Sequence, residues 1–143
     1  MYFDSQALTA LLSDEALARK LAPAIQADWK RMTSPLAVVE TVLALGKPDE
    51  PGKTHAETQD AIASFLDAHD IELRDMPPVS KLVPLAGEAA GNMAAPDVMH
   101  CLNAACAAYY EMEMFRIDDA LAALPGLPGL QSRDTTGDVD SEV

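Results

Sequence analysis

Four short runs of apolar residues alternate along the chain with longer stretches of helical periodicity. These runs, at residues 2–3, 29–33, 71–76 and 113–117, are the predicted strands. Strands that alternate with helices in this order favour a parallel sheet covered by helices on both faces. We therefore predict an α/β fold. Open α/β sheets bind ligands beyond the carboxyl ends of their strands, so we expect a site at that end.

Local signals place several helix boundaries. Ser34-Pro35 offers a serine cap followed by proline in the first turn, and the polar Pro/Gly loop at 46–54 ends that helix. Pro96-Asp97 opens a helix predicted to run through Tyr109. A short last helix over 120–124 is expected, capped by the acids just before it.

Size and charge limit the class of protein. With 143 residues the chain has room for one domain, predicted over 1–130, and the polar, acidic segment 131–143 is expected to be disordered. The formal net charge of −13 opposes general binding to nucleic acid or to anionic membranes. It does not exclude a nuclease, because a carboxylate site recruits its own cations.

The cysteines and the first residues indicate a cytoplasmic protein. Cys101 and Cys106 are five positions apart, which places them roughly 140° apart around a helix and makes a disulfide between them unfavourable. Buried free thiols suit a reducing compartment. The opening residues lack the basic start and apolar run of a secretory signal, and no stretch is long and apolar enough to span a membrane.

Acidic residues follow the predicted strands or begin helices, and each has an ordinary structural explanation. Asp4 follows the first strand, Asp97 caps a helix, and Asp118-Asp119 end the fourth strand and cap the next helix. Glu40 is different, because it lies within the apolar stretch 36–43 of an expected core helix. A carboxylate there needs a cation, a donor or access to water, although a Glu that simply points outward would also explain it.

Together these acids predict a site for a hard divalent cation at one rim of the sheet. Clustered carboxylates repel one another unless protons or metal ions neutralise them, and Mg²⁺ or Mn²⁺ prefers oxygen ligands. His100, Cys101 and Cys106 lack the paired spacing of a zinc site. Neither a poised Ser or Cys nucleophile nor a Gly-rich phosphate loop is evident. Metal-assisted hydrolysis of a phosphodiester is the chemistry that such a cluster supports.

These residues, in this order, resemble the PIN-domain ribonucleases, and in particular the VapC-type toxins of bacterial toxin–antitoxin pairs. The opening residues 1–8 match the family's "hydrophobic–Asp–x–Ser–Ala–Leu" stretch, and Thr33-Ser34-Pro35 with Glu40 matches its "S-x5-E" helix. Asp97, and Asp118-Asp119 followed by residues 124–127, match its third and fourth acidic positions. The resemblance covers residues 1 to about 127.

The resemblance implies a three-layer α/β/α sandwich with a short central parallel sheet. It also implies Mg²⁺ or Mn²⁺ held by acids that activate water for attack on an RNA phosphate. Carried over by position, the catalytic and metal-binding acids are Asp4, Glu40, Asp97 and Asp118, with Asp119 as a further metal ligand. A homodimer and a cognate antitoxin are the implied partners.

Two departures from the family pattern support an alternative, a non-catalytic PIN-fold binding module. Gln6 replaces the usual hydroxyl residue, and the loop 87–95 before Asp97 has no Lys, Arg or His. For the antitoxin, we expect a basic peptide to pair with Asp4, Glu40 and Asp97. Apolar residues beside that groove would anchor it, with Leu8, Leu12 and Val39 as candidates.

Overall fold

A computed structural model describes residues 1–124 of the chain. The predicted disordered segment 131–143 and the domain boundary at residue 130 lie outside the described residues. The helices are α1 (Ser5–Ser13), α2 (Glu15–Ala27), α3 (Pro35–Leu45), α4 (His55–Ala68), α5 (Val79–Gly91), α6 (Val98–Tyr109) and α7 (Ile117–Ala122). The strands are β1 (Met32–Thr33) and β2 (Glu72–Leu73). The chain is therefore mixed α/β and mostly helical, which confirms the predicted class.

The sheet is parallel, as predicted, but much shorter than the apolar runs. β1 pairs with β2, with Met32 opposite Glu72 and Thr33 opposite Leu73. Tyr2 extends this two-stranded sheet through single parallel bridges to Met32 and to Met114. A helix cap directly follows β1, where Ser34 caps α3, and another closely follows the Tyr2 bridge, where Asp4 caps α1, so neither extended segment can continue.

The predicted start of the last helix was wrong. We expected a strand through residue 117 and then a helix over 120–124, but α7 begins at Ile117 with Arg116 as its N-cap. Asp118 and Asp119 consequently lie in the first turn of α7 and do not cap it. The positive end of the helix dipole favours acidic residues at such positions, which gives them a local structural role.

Other helix boundaries follow the predicted signals. Ser34 accepts a hydrogen bond from the Ala37 amide, and Pro35 occupies the first turn of α3. Asp97 caps α6. α5 continues through Pro84. Pro84 has no N–H group, so the Ser80 carbonyl lacks its usual hydrogen bond within the helix. α5 tolerates this because none of its residues is fully buried and Ser80 is exposed to water.

The buried hydrophobic side chains form two clusters, one containing Phe3 and the other containing its neighbour Tyr2. The Phe3 cluster contains Phe3, Ala7, Leu8, Leu11, Leu21, Ile25, Ala37, Ile62, Leu66, Ile71 and Phe115. The Tyr2 cluster contains Tyr2, Met32, Cys106 and Ala107, with Met76, Leu82, Tyr110, Met112 and Met114 packed against it. Cys101 and Cys106 are both buried free thiols, as predicted.

The expectation that α3 is a core helix holds for one face, where Val38 and Val42 also pack partly buried against the Phe3 cluster. Ala37 and Thr41 are buried, whereas Val39 is 55% and Leu43 66% exposed.

Among residues 1–124, none of the helices combines the length and apolar character needed to cross a lipid bilayer.

Candidate functional site

An acidic cleft of about 260 Å³ lies where α1 and α7 begin. Its acidic lining residues are Asp4, Asp118 and Asp119, and Arg116 and Gln6 also line it. Its remaining lining residues are Ala7, Met114, Phe115 and Ile117. The parallel bridge between Tyr2 and Met114 brings these acids together, because it places the two following segments side by side.

Asp4 combines a structural role with a position in the acidic cleft. It is the N-cap of α1, and its Oδ1 accepts a hydrogen bond from the Ala7 amide at 2.9 Å. The residue is half-buried, and Tyr2 and Phe3 before it are fully buried. The cap fixes one carboxylate oxygen and leaves the other for a different partner.

Asp118 and Asp119 also line the cleft. Both are exposed, and both lie in the first turn of α7. Arg116, also exposed, is the basic residue in the lining, and within residues 1–124 it forms no ion pair. The cleft therefore presents three carboxylates and one guanidinium group.

Glu40 does not line the acidic cleft, but a hydrogen bond holds its side chain. It is half-buried on α3, and its Oε1 accepts a hydrogen bond from Asn103 Nδ2 at 2.8 Å. Asn103 lies on α6 and is only 3% exposed. The sequence expectation that Glu40 needs a donor is met in this way.

Asn103 was not found from the sequence, although a signal was present. It is the polar residue in the otherwise apolar stretch 101–108 of α6. A buried amide must find hydrogen-bond partners, so an Asn in such a stretch indicates a partner on another element. Which partner it finds depends on tertiary packing.

The Tyr2 hydroxyl contacts Asn103, which holds Glu40, and it also experiences the charge of Asp4. It donates to Asn103 Oδ1 at 2.5 Å and lies 2.7 Å from Ser34 Oγ. Burial raises the pKa of this hydroxyl strongly, a hydrogen bond from Ser34 opposes the rise, and the charges of Cys106, Asp4 and Glu40 add to it. Both carboxylates therefore act electrostatically on the same buried hydroxyl.

Asp97 is separate from this arrangement. It is exposed, caps α6, and accepts a hydrogen bond from the Met99 amide at 3.1 Å through Oδ1. It does not line the acidic cleft. Asp97 thus has the capping role expected from sequence, Asp4, Asp118 and Asp119 line the cleft, and Glu40 is held by Asn103 outside it.

The acids of the cleft share its walls without closing around one point. Within residues 1–124, no three His, Cys, Asp or Glu side chains lie close enough together to hold a metal ion among them. The acidic cleft is a space that these residues line together.

Comparison with known proteins does not assign the chain. No protein-family model matches it, and no curated protein is significantly similar to it.

Proposed function

We propose that the chain is a Mg²⁺-dependent endoribonuclease with a PIN-like three-layer fold, of the VapC toxin type. The observation that carries this proposal is the acidic cleft at the carboxyl ends of the parallel segments, lined by Asp4, Asp118 and Asp119. Open α/β sheets place their ligand sites at this end. Glu40, on the helix that follows β1, acts electrostatically on the same Tyr2 hydroxyl as Asp4.

The donor chemistry of the cleft fits Mg²⁺ or Mn²⁺. Magnesium is commonly bound by one or two carboxylates, with waters and substrate phosphates completing its shell, so a cage of three protein ligands is not required. Asp4 and Asp118 would hold the ion, with Asp119 in the same cleft, whereas Glu40 lies outside the cleft lining. When bound, the ion lowers the pKa of a coordinated water and polarises the phosphate.

Arg116 supports binding of a phosphodiester in the same cleft. A guanidinium group donates paired hydrogen bonds to phosphate oxygens. On a chain of net charge −13, a cation within the cleft offsets the repulsion between the acids and an approaching RNA backbone. In this mechanism the carboxylates hold the cation, and Arg116 orients the phosphate.

The decisive experiment compares two aspartates that have the same structural role. Asp4 and Asp14 both cap a helix and both accept one backbone hydrogen bond, at 2.9 Å and 3.0 Å. Asparagine caps helices about as well as aspartate, so Asp4→Asn and Asp14→Asn remove charge and keep the cap. Asp14 lies outside the acidic cleft and serves as the matched control.

We expect Mg²⁺-dependent RNA cleavage by the unmodified protein and by Asp14→Asn. Asp4→Asn should reduce cleavage by about 100-fold or more, since it removes a charge that holds the cation. Cleavage is measured on a pool of RNAs with Mg²⁺ and with a chelator. Equal cleavage by the two variants would show that the site lies elsewhere, and cleavage that persists with the chelator would show that it does not depend on Mg²⁺.

A specific observation favours a second candidate, a non-catalytic PIN-fold binding module. Asp97 lies outside the cleft, and the described residues contain no tight three-ligand group. Calorimetric titration with Mn²⁺ separates the two functions. Heat of binding that Asp4→Asn abolishes supports the nuclease, whereas no binding together with no cleavage supports the module.

The proposed partners are RNA, an antitoxin and a second copy of the chain. Of the three apolar residues predicted to anchor the antitoxin, Leu8 is fully buried in the Phe3 cluster, so that part of the prediction was wrong. Leu12 is half-buried against the same cluster. Val39 is exposed and adjacent to Glu40, so α3 is the surface we propose for a basic, amphipathic partner segment.

A further inference from the structure

The outer side of α5 carries a row of apolar residues. The helix packs against α6, and none of its residues is fully buried. Val79 is 72% and Val83 64% exposed. Gly87 and Gly91, both exposed, follow at the same spacing of four, so the four residues form one row along the helix surface. We call these four residues the α5 row.

The two glycines of the α5 row have no explanation within the described chain. Glycine in a helix is unfavourable relative to alanine, because it loses more backbone entropy on folding. A Cβ at Gly87 or at Gly91 would meet no atom within 4 Å outside its own stretch of helix. Neither glycine has a positive φ, so the backbone does not require it either. What glycine allows at such positions is the close approach of another backbone.

The α5 row is complementary to itself when two copies of the helix run antiparallel. In a two-fold dimer each contact occurs twice, with the residues exchanged between the copies. With the axis beside Leu85, Val83 faces the partner's Gly87. Val79 then faces the partner's Gly91, because both pairs are centred on residue 85. Each bulky residue thus meets a glycine, as when the ridge of one helix packs into the groove of another.

The charged residues of α5 fit the same arrangement. They are Lys81 and Glu88, both exposed, and within residues 1–124 neither forms an ion pair. Seven positions separate them, so they lie on one side of the helix, two turns apart. The antiparallel arrangement brings Lys81 of each copy beside the partner's Glu88. A chain of net charge −13 repels a second copy overall, whereas α5 has no net charge.

We propose that two copies of the chain associate through α5, with the helices antiparallel and the valines of one copy packed against the glycines of the other. This gives a surface to the second copy named among the proposed partners, and it does not depend on nuclease activity. α5 spans 13 residues, a length of about 20 Å. A contact of this length is smaller than a standard interface of about 1,600 Å², so we expect a reversible dimer.

Analytical ultracentrifugation of the full chain over a series of concentrations tests the packing. Gly87→Leu should raise the dissociation constant of the dimer by about 10-fold or more, because it fills the space that the partner's Val83 occupies. Its midpoint in urea should not fall, since a side chain at this exposed position meets nothing within one copy. Ala63→Leu adds similar bulk at an exposed position of α4 and should leave the dissociation constant unchanged. A monomer at every concentration, or a dimer that Gly87→Leu leaves intact, would overturn the proposal.

A charge exchange tests the antiparallel arrangement. Lys81→Glu and Glu88→Lys each place like charges opposite one another, and each should weaken the dimer by about fivefold or more at low salt. The double variant restores opposite charges and should return to within about twofold of the unmodified protein. General repulsion alone would weaken the dimer in Lys81→Glu and strengthen it in Glu88→Lys, a result that would overturn the arrangement. The readout is mass, so the proposed nuclease stands or falls separately.

Discussion

Tyr2 and Phe3 are adjacent, are both 0% exposed, and belong to chemically different interiors. Successive residues of an extended segment point to opposite sides, which explains their separation. Phe3 stacks on Phe115, with ring centroids 4.7 Å apart, among aliphatic residues from α1 to α4. Tyr2 lies among methionines and Cys106, and its hydroxyl contacts Ser34 and Asn103.

The difference indicates that the two clusters have different roles within residues 1–124. The Phe3 cluster is formed by hydrophobic side chains alone, so its contribution is to the free energy of unfolding. The Tyr2 side adds a hydrogen-bonded chain that ends at Glu40. Buried polar chains of this kind contribute little net stability but hold groups in one geometry.

The largest expected effect is in the Phe3 cluster. Phe3→Ala should lower the free energy of unfolding by about 3–5 kcal/mol, because it removes a fully buried ring and leaves a cavity beside Phe115. Urea denaturation measures this change. Val39→Ala, at an exposed position, is the control and should stay within about 0.5 kcal/mol. A loss below about 1 kcal/mol for Phe3→Ala would mean that this cluster is not the main source of stability.

An intermediate effect is expected from Tyr2→Phe. The ring stays in place, but Asn103 Oδ1 and the Ser34 hydroxyl each lose a partner, which should cost about 1–3 kcal/mol in urea denaturation. The reverse change, Phe3→Tyr, introduces a hydroxyl where the neighbours are hydrophobic, and it sharpens the comparison. If both Tyr2→Phe and Phe3→Tyr left the free energy of unfolding unchanged, the surroundings of Tyr2 and Phe3 would not differ in polarity as described.

The smallest expected effect is on the free energy of unfolding at alkaline pH. The pKa of Tyr2 is raised in the folded protein, so above pH 10 the unfolded chain releases this proton while the folded chain keeps it. The unfolded state then binds fewer protons, and stability falls as pH rises. Denaturation at pH 9 and at pH 11 should show a smaller decline for Tyr2→Phe than for the unmodified protein. An identical decline would show that Tyr2 does not contribute to this limb.

Local signals predicted much of this fold, because they depend on neighbouring residues. The caps at Ser34 and Asp97 require only the chain around them. That Asp4, Asp118 and Asp119 line one cleft was also predictable. Asp4 follows Tyr2, the two other acids follow Met114, and Tyr2 and Met114 are bridged in parallel. That part of the candidate site came from the position of acids relative to strands.

The remainder depends on packing between distant elements. The bond from Asn103 to Glu40 joins residues 63 positions apart, and no local pattern specifies it. Leu8 and Val39 are both apolar helix residues, yet α1 buries Leu8 against the core and α3 leaves Val39 exposed. Asp97 follows a loop and not a strand, so the rule that gathers the other acids does not apply to it.

The brevity of the strands has a consequence for self-association. A long, flat edge strand offers a row of free backbone groups on which another chain can add, which leads to aggregation. β2 lies at one edge of the sheet and spans only Glu72–Leu73, and Arg74 pairs with Glu72 at 3.0 Å beside it. An incoming strand would find two residues of template flanked by charge, so this molecule's edge resists the growth of intermolecular β-structure.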